Sequence, residues 1–144
     1  MAVPIARILV VDDAESFRRI IASILEQESG LQLVGEASDG RIAVEKADNL
    51  RPDLVLLDIG LPSLNGLQAA REIRTRAPQS RILIVSQESS REIVQAALNL
   101  GARGYVHKME AQRELLTAIK AVIRGEVYVS SMMRPDLIFP NGKA

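Results

Sequence analysis

The chain has no cysteine and no tryptophan, and its only histidine is His107. Without cysteine there is no disulfide, no thiolate metal site and no thiol nucleophile, which permits a reducing compartment without requiring one. One histidine rules out any centre that needs two imidazoles. Aromatic residues make up 3% of the sequence, so the core has to be aliphatic. Lys plus Arg equals Asp plus Glu at 18 each, and a chain of zero formal charge has no global basic field with which to hold nucleic acid. No apolar run approaches the roughly 20 residues of a membrane span. Met1-Ala2-Val3-Pro4 also lacks the charged start and long apolar stretch of a signal peptide. Together these absences predict a soluble cytoplasmic protein with no membrane partner and no nucleic-acid contact of its own.

What is present fits one domain. At 144 residues, 47% of them hydrophobic, the chain can bury a real core but is short for two. Ile5 to Val11 is a β-rich run ending in Asp12-Asp13. Phe17, Ile20, Ile21, Ile24 and Leu25 then fall on one helical stripe, stopped by Gly30. Leu31 to Ala37 reads as a more polar second strand, nearer an edge, and Ile42, Ala43, Ala47 and Leu50 mark a second helix broken at Arg51-Pro52. Leu54-Val55-Leu56-Leu57 runs straight into Asp58, followed by the loop Gly60 to Asn65 and a helix from about Gly66 to Arg76. Arg81 to Val85 is a fourth strand ending in Ser86, followed by a helix closed at Gly101. Gly104 to His107 is a short fifth strand ending in Lys108, with a last helix from about Gln112 to Arg124. Strict alternation of strands and helices requires crossover connections, hence a parallel sheet with helices on both faces. After Gly125 the pattern lapses. Residues 1–125 therefore read as the domain and residues 126–144 as a C-terminal tail or truncated linker.

The polar residues are informative by position. Asp12 and Asp13 end the first strand, Asp58 the third and Ser86 the fourth, while Lys108 follows the fifth. In a parallel sheet these ends share one edge, where open α/β sheets hold their ligands. Singly, each has a bland reading: an Asp at a strand end usually makes a turn or caps a helix, Ser86 can cap too, and Lys108 is by default a solvated cation. His107 reads as a strand-end residue with no catalytic duty. Jointly they describe a phosphate site. Three carboxylates in one crevice demand a cation, and an all-oxygen donor set suits Mg²⁺. A lysine can pair with a phosphoryl oxygen, and a central carboxylate can itself accept a phosphoryl group.

With those residues in view, the chain from Ile5 to Arg124 resembles the receiver domain of two-component response regulators. The matching residues are Asp12-Asp13, Asp58 with Leu61-Pro62 and Gly66 downstream, Ser86, and Lys108 after Gly101-Ala102-Arg103-Gly104-Tyr105. Val34 to Gly40 and Gly125 to Ser130 resemble the NarL/FixJ-type branch, in which a linker leads to a helix-turn-helix DNA-binding domain. The resemblance implies the flavodoxin-like (βα)5 fold, a doubly wound sandwich with a five-stranded parallel sheet in the order 2-1-3-4-5. It implies that Asp58 is the phosphoacceptor for a sensor histidine kinase. Asp13, Asp58 and the Gly60 backbone carbonyl would ligate Mg²⁺, with Asp12 acting through water. Lys108 would pair with Asp58 and then with the phosphoryl group. Ser86 and Tyr105 would form the switch, Ser86 moving toward the phosphoryl oxygens and Tyr105 rotating into the space it leaves.

Two positions depart from the pattern. Gln87 stands where a small residue is usual, and its bulk is expected to modulate access to the phosphoryl group. Met109 follows Lys108 where many receivers have proline. On this reading the chain is a signalling phosphoacceptor, not an enzyme beyond its own phosphorylation and autodephosphorylation. Its output is expected to be transcription through a DNA-binding domain absent from these residues; a stand-alone receiver working through protein contacts is the alternative. A homodimer through helices one and five, or through the helix-four to helix-five face, is a family expectation. A Mg²⁺-dependent phosphatase with an aspartyl nucleophile is disfavoured. Such enzymes usually carry a second acid two residues after the nucleophile, and here that position is Gly60.

Overall fold

In the computed structural model, which describes residues 5–134 and 137–139, strands and helices alternate in chain order. They are β1 (Ala6–Val11), α1 (Glu15–Glu26), β2 (Leu31–Ala37), α2 (Gly40–Leu50), β3 (Leu54–Leu57), α3 (Gly66–Arg76), β4 (Arg81–Ser86), α4 (Arg91–Leu100), β5 (Gly104–His107), α5 (Ala111–Ile123) and β6 (Tyr128–Val129). The readings of residues 1–4, and of residues 135–136 and 140–144 of the expected tail, lie outside the described residues.

The sheet is parallel throughout, in the order β2-β1-β3-β4-β5-β6, with β2 at an edge as its polarity predicts. Successive strand residues point to opposite faces and feed two cores. Leu9, Val11, Val55, Leu57, Ile82, Ile84 and Tyr105 join α2, α3 and α4 on one face. Ile8, Val10, Leu54, Leu56, Leu83, Val85 and Val106 join α1 and α5 on the other. Burial explains why β3 is the most uniformly aliphatic strand: all four of its side chains are essentially inaccessible. A fully buried aliphatic side chain contributes about 1.5–3 kcal/mol, against about 1–2 kcal/mol for fixing one residue's backbone.

Helix ends account for most of the remaining punctuation. Asp39 caps α2 by accepting from the Ile42 N–H at 2.8 Å. Asn65 and Gln68 form a reciprocal capping box on α3. Ser90 caps α4, and Gly101 closes it with φ 114°, a left-handed conformation that favours glycine.

The sixth strand departs from the expected five, because the chain does not leave the fold at Gly125. The Tyr128 N–H donates to the Arg103 carbonyl at 3.1 Å and the Ser130 N–H to the Tyr105 carbonyl at 2.9 Å. Val129 is buried, and the His107 N–H donates to the buried Ser130 hydroxyl at 3.0 Å. The Tyr128 hydroxyl donates to Glu114 on α5 at 2.6 Å. Burial alone would raise the Glu114 carboxyl, but hydrogen bonds from Tyr128 and Ser131 help outweigh it, and its pKa lies below the usual glutamate value. Further on, the Gln95 side chain of α4 both donates to and accepts from the Ile138 backbone.

Candidate functional site

Register brings the acids together. Val11 pairs with Leu57, so Asp12 and Asp58, each the next residue, leave the sheet side by side. Their backbones continue the ladder: the Asp12 N–H donates to the Ala37 carbonyl and the Asp58 N–H to the Val11 carbonyl, each at 3.0 Å. Asp12 is 1% exposed and Asp58 7%, whereas Asp13 is exposed. Carboxylate oxygens of Asp12, Asp13 and Asp58 lie within 4.8 Å of one another. The Lys108 ammonium reaches over from the end of β5, 2.7 Å from Asp12 Oδ2 and 3.3 Å from Asp58 Oδ2. Burial disfavours the charge on Lys108, but the two carboxylates outweigh it and hold its pKa above the ordinary lysine value. For Asp12 burial wins, aided by the nearby Asp58, and its carboxyl sits above the ordinary value despite Lys108 and the Ala14 N–H.

For Asp12 and Ser86 the helix-cap reading fails but the turn reading holds, since each side chain accepts the N–H two residues on. The N-cap of α1 is Ala14, which makes no side-chain cap, and Asp12 instead accepts from the Ala14 backbone N–H at 2.8 Å. Ser90, not Ser86, caps α4. The buried Ser86 hydroxyl accepts from the Glu88 N–H at 3.1 Å, one residue past the exposed Gln87. Lys108 is largely enclosed, with its side chain 14% exposed. His107 keeps its bland reading, its Nδ1 accepting from the Met109 N–H at 3.1 Å while Met109 itself is exposed.

Tyr105, expected to rotate into the space that Ser86 leaves, stands inward in this structure. It is already fully buried, and its hydroxyl donates to the Glu88 carbonyl at 2.8 Å. Burial pushes the phenol well above the usual tyrosine range, so it stays a donor. Lys108 also lies nearer Asp12 than the expected partner, Asp58.

The donor set fits a hard divalent cation. It offers three carboxylates with no nitrogen or sulfur, and the buried Asp12 Oδ2 lacks an aligned hydrogen-bond donor even with Lys108 close by. One neighbour escapes sequence reasoning. Phe17 scores there as part of a core stripe, yet Lys108 Nζ sits over its ring, 4.6 Å from the centroid. At the opposite end of the sheet an open hollow of about 490 Å³ is lined by Ile5, Asp53, Arg81, Lys120 and Arg124. Its charges are already engaged: Lys120 with Glu28, Arg124 with Glu126, and Asp53 with the Arg7 N–H.

Comparison with known proteins follows the same lines. Residues 8–120 match the family model of the response regulator receiver domain. The chain is 35% identical over 132 residues to the nitrate/nitrite response regulator protein NarL of Escherichia coli, covering 92% of this chain and 61% of that protein. It is 34% identical over 131 residues to the response regulator GacA of Pseudomonas viridiflava, covering 91% and 61% respectively. A LuxR-family two-component response regulator from an Aurantimonas species superposes with a TM-score of 0.86 at 33% identity, covering 90% of this chain and 92% of that one. The chain thus spans about three fifths of the length of the curated relatives it matches.

Proposed function

The chain belongs to the response regulator receiver domain family, in its NarL-like branch, and from that premise we propose that Asp58 accepts a phosphoryl group from a sensor histidine kinase or a small phosphodonor. The observation that carries this is the Lys108 ammonium held between two buried carboxylates, with a third acid alongside, at the C-terminal edge of a parallel sheet. In the transfer, an Asp58 carboxylate oxygen bonds to phosphorus as the phosphorus–nitrogen bond of the donor phosphohistidine breaks. The leaving ring nitrogen keeps the bonding electron pair and takes up a proton, so the products are an acyl phosphate and a neutral imidazole. Asp13, Asp58 and the Gly60 carbonyl are the groups to hold Mg²⁺ directly, and Asp12 to hold it through water; when bound, the ion neutralises charge on the phosphoryl oxygens. Lys108 turns from the carboxylates to a phosphoryl oxygen as a point charge, and the Ser86 hydroxyl turns its proton toward another.

The switch follows from the hydrogen bonds already described. Ser86 and Tyr105 both bond to the backbone of Glu88, so a phosphoryl group that recruits Ser86 changes the β4–α4 loop and with it α4. That is an added charge biasing a two-state element. The chain acts in signalling rather than turnover, catalysing only its own phosphorylation and dephosphorylation. Gly60 offers no general acid for a phosphatase. We assign residues 1–125 to the receiver and residues 126–144, whose β6 pairs onto the receiver sheet, to the segment leading to an output, with transcription control as the output in the full protein. The sensor kinase, a second copy of the domain and a cytoplasmic location complete this reading.

The test is to mix the protein with Mg²⁺ and acetyl phosphate and map the modified peptide. An acid-stable, base-labile mass addition on Asp58 is expected, lost in Asp58→Asn. No addition, or an unchanged one in Asp58→Asn, overturns the proposal. Gln87, exposed beside Ser86, is proposed to modulate access to the site. Gln87→Ala should alter phosphoryl uptake or lifetime while shifting stability by less than about 0.5 kcal/mol. Unaltered kinetics remove the gating role.

A further inference from the structure

We propose that Phe17 is a positioning residue for phosphoryl transfer, its ring face holding the Lys108 ammonium in the crevice between Asp12 and Asp58. The inference rests on the reading of Asp58 as phosphoacceptor. An ammonium has three N–H donors. One is donated to Asp58 Oδ2 at 3.3 Å, Asp12 Oδ2 faces the ammonium at 2.7 Å as an ion pair, and Nζ lies 4.6 Å from the centroid of the Phe17 ring. The ring face carries the negative part of the aromatic quadrupole and attracts a cation within about 6 Å, most strongly where water is excluded. Water is largely excluded here, since the Lys108 side chain is 14% exposed and Asp12 1%.

The ring is itself held in place. Phe17 and Arg18 both donate their N–H groups to the Ala14 carbonyl at 3.1 Å, opening the first turn of α1. The Arg18 guanidinium then donates to the Asp12 carbonyl at 2.7 Å and pairs with Glu36 at 2.9 Å. The start of α1 is thereby tied to the strand end that carries Asp12. Lysine has a long stem with four rotatable bonds, and two carboxylates that it must leave for a phosphoryl oxygen do not by themselves fix its place. A ring face does, because it attracts the ammonium without being consumed by the reaction. Phe17 also packs against the aliphatic core with Ile8 and Val10, so packing and positioning have to be separated by experiment.

Ring fluorination separates them, because it drains the negative face while keeping the shape. In the full chain with Mg²⁺ and acetyl phosphate, Phe17 is replaced in turn by its 4-fluoro, 3,5-difluoro and 3,4,5-trifluoro analogues. The logarithm of the rate of phosphoryl uptake should fall stepwise, to about three- to tenfold below wild type at the trifluoro ring. Phe17→Leu, which keeps an apolar side chain, should fall by at least as much, while Phe17→Tyr should stay within about twofold of wild type. A second readout needs neither Mg²⁺ nor phosphate: the Lys108 ε-methylene protons should show an upfield ring-current shift that Phe17→Leu abolishes. A rate that is flat across the fluorinated series, or no ring-current shift in the wild type, overturns the proposal. If the wild type takes up no phosphoryl group, the Asp58 reading fails, and the ring-current shift still decides whether Phe17 holds Lys108.

Discussion

Alanine at Gly66 is expected to destabilise the fold by about 2–3 kcal/mol, the upper part of the range for an atom forced into a packed core, and to impair phosphoryl uptake as well. Gly66 opens α3 with its N–H donated to the Ile59 carbonyl at 2.8 Å, so the helix begins directly against the residues that carry Asp58. A Cβ there would overlap the Asp58 carbonyl oxygen and lie 2.5 Å from Ile59 Cα and 2.8 Å from the Asp58 carbonyl carbon. All three are backbone atoms, so no side chain can turn aside to make room. The loop cannot retreat either, because its other side meets the start of α2, where a Cβ on Gly40 would overlap the Leu64 carbonyl. Either α3 moves or Asp58 does. The expected thermal shift is a fall of about 6–12 °C in Tm. Uptake from acetyl phosphate should drop by about tenfold or more, since a displacement near 1 Å of the proposed acceptor can cost up to about 100-fold. Gly60→Ala is the control: its Cβ would meet nothing within 4 Å, so stability should hold within about 0.5 kcal/mol. Equal melting curves for Gly66→Ala and Gly60→Ala would show that the close approach is soft.

How much of this is legible in the sequence depends on the range of the interactions that form each part. β3, β5 and α3 coincide with their expected spans because local signals define them: apolar runs ending at Asp58 and Lys108, and a helix between Asn65 and the Ala77-Pro78 break. The meeting of Asp12, Asp13, Asp58 and Lys108 follows from topology, since parallel strands end at one edge whatever their spacing in the chain. β6 could not be read that way. Two residues show no alternation, and what orders them is remote: Glu114 for the Tyr128 hydroxyl, and the backbones of Arg103 and Tyr105. Phe17 was hidden for another reason. Its helical stripe is satisfied by packing alone, and only the path of the Lys108 side chain reveals the cation above the ring. The same holds for the position of Tyr105, whose hydroxyl finds the Glu88 carbonyl 17 residues back and leaves no trace in residue order.

Removing Lys108 isolates the electrostatic part of the site. Among the described residues it is the one basic side chain paired with Asp12 or Asp58, and both carboxylates are buried. Breaking a buried pair by deleting one partner costs about 3–5 kcal/mol when the survivor stays charged, and less where it can protonate. Lys108→Ala is therefore expected to lose about 2–4 kcal/mol at pH 7 without divalent ions. Mg²⁺ should recover more stability in the variant than in the wild type, because it supplies the missing positive charge without a lysine competing for the same oxygens. Phosphoryl uptake should stay low even at saturating Mg²⁺, since the ion cannot also take over the phosphoryl contact proposed for Lys108. The pH dependence has a definite sign. The Asp12 carboxyl lies above its ordinary value of 3.8 in the folded state, so ionising it opposes folding. This penalty is absent in acid and grows as pH rises through the folded pKa. Without Lys108 that pKa moves higher still, so lowering the pH from 7 toward 5 should stabilise Lys108→Ala relative to wild type. Lys108 works in the opposite sense. Its pKa is raised above 10.5, so its contribution is complete below 10.5 and is lost as pH rises through the folded value. That alkaline loss should appear in the wild type and be missing from the variant. Chemical denaturation with and without Mg²⁺, between pH 5 and pH 11, tests both signs. A variant as stable as wild type at pH 7 without Mg²⁺ would mean that Asp12 and Asp58 do not need Lys108 to share the crevice.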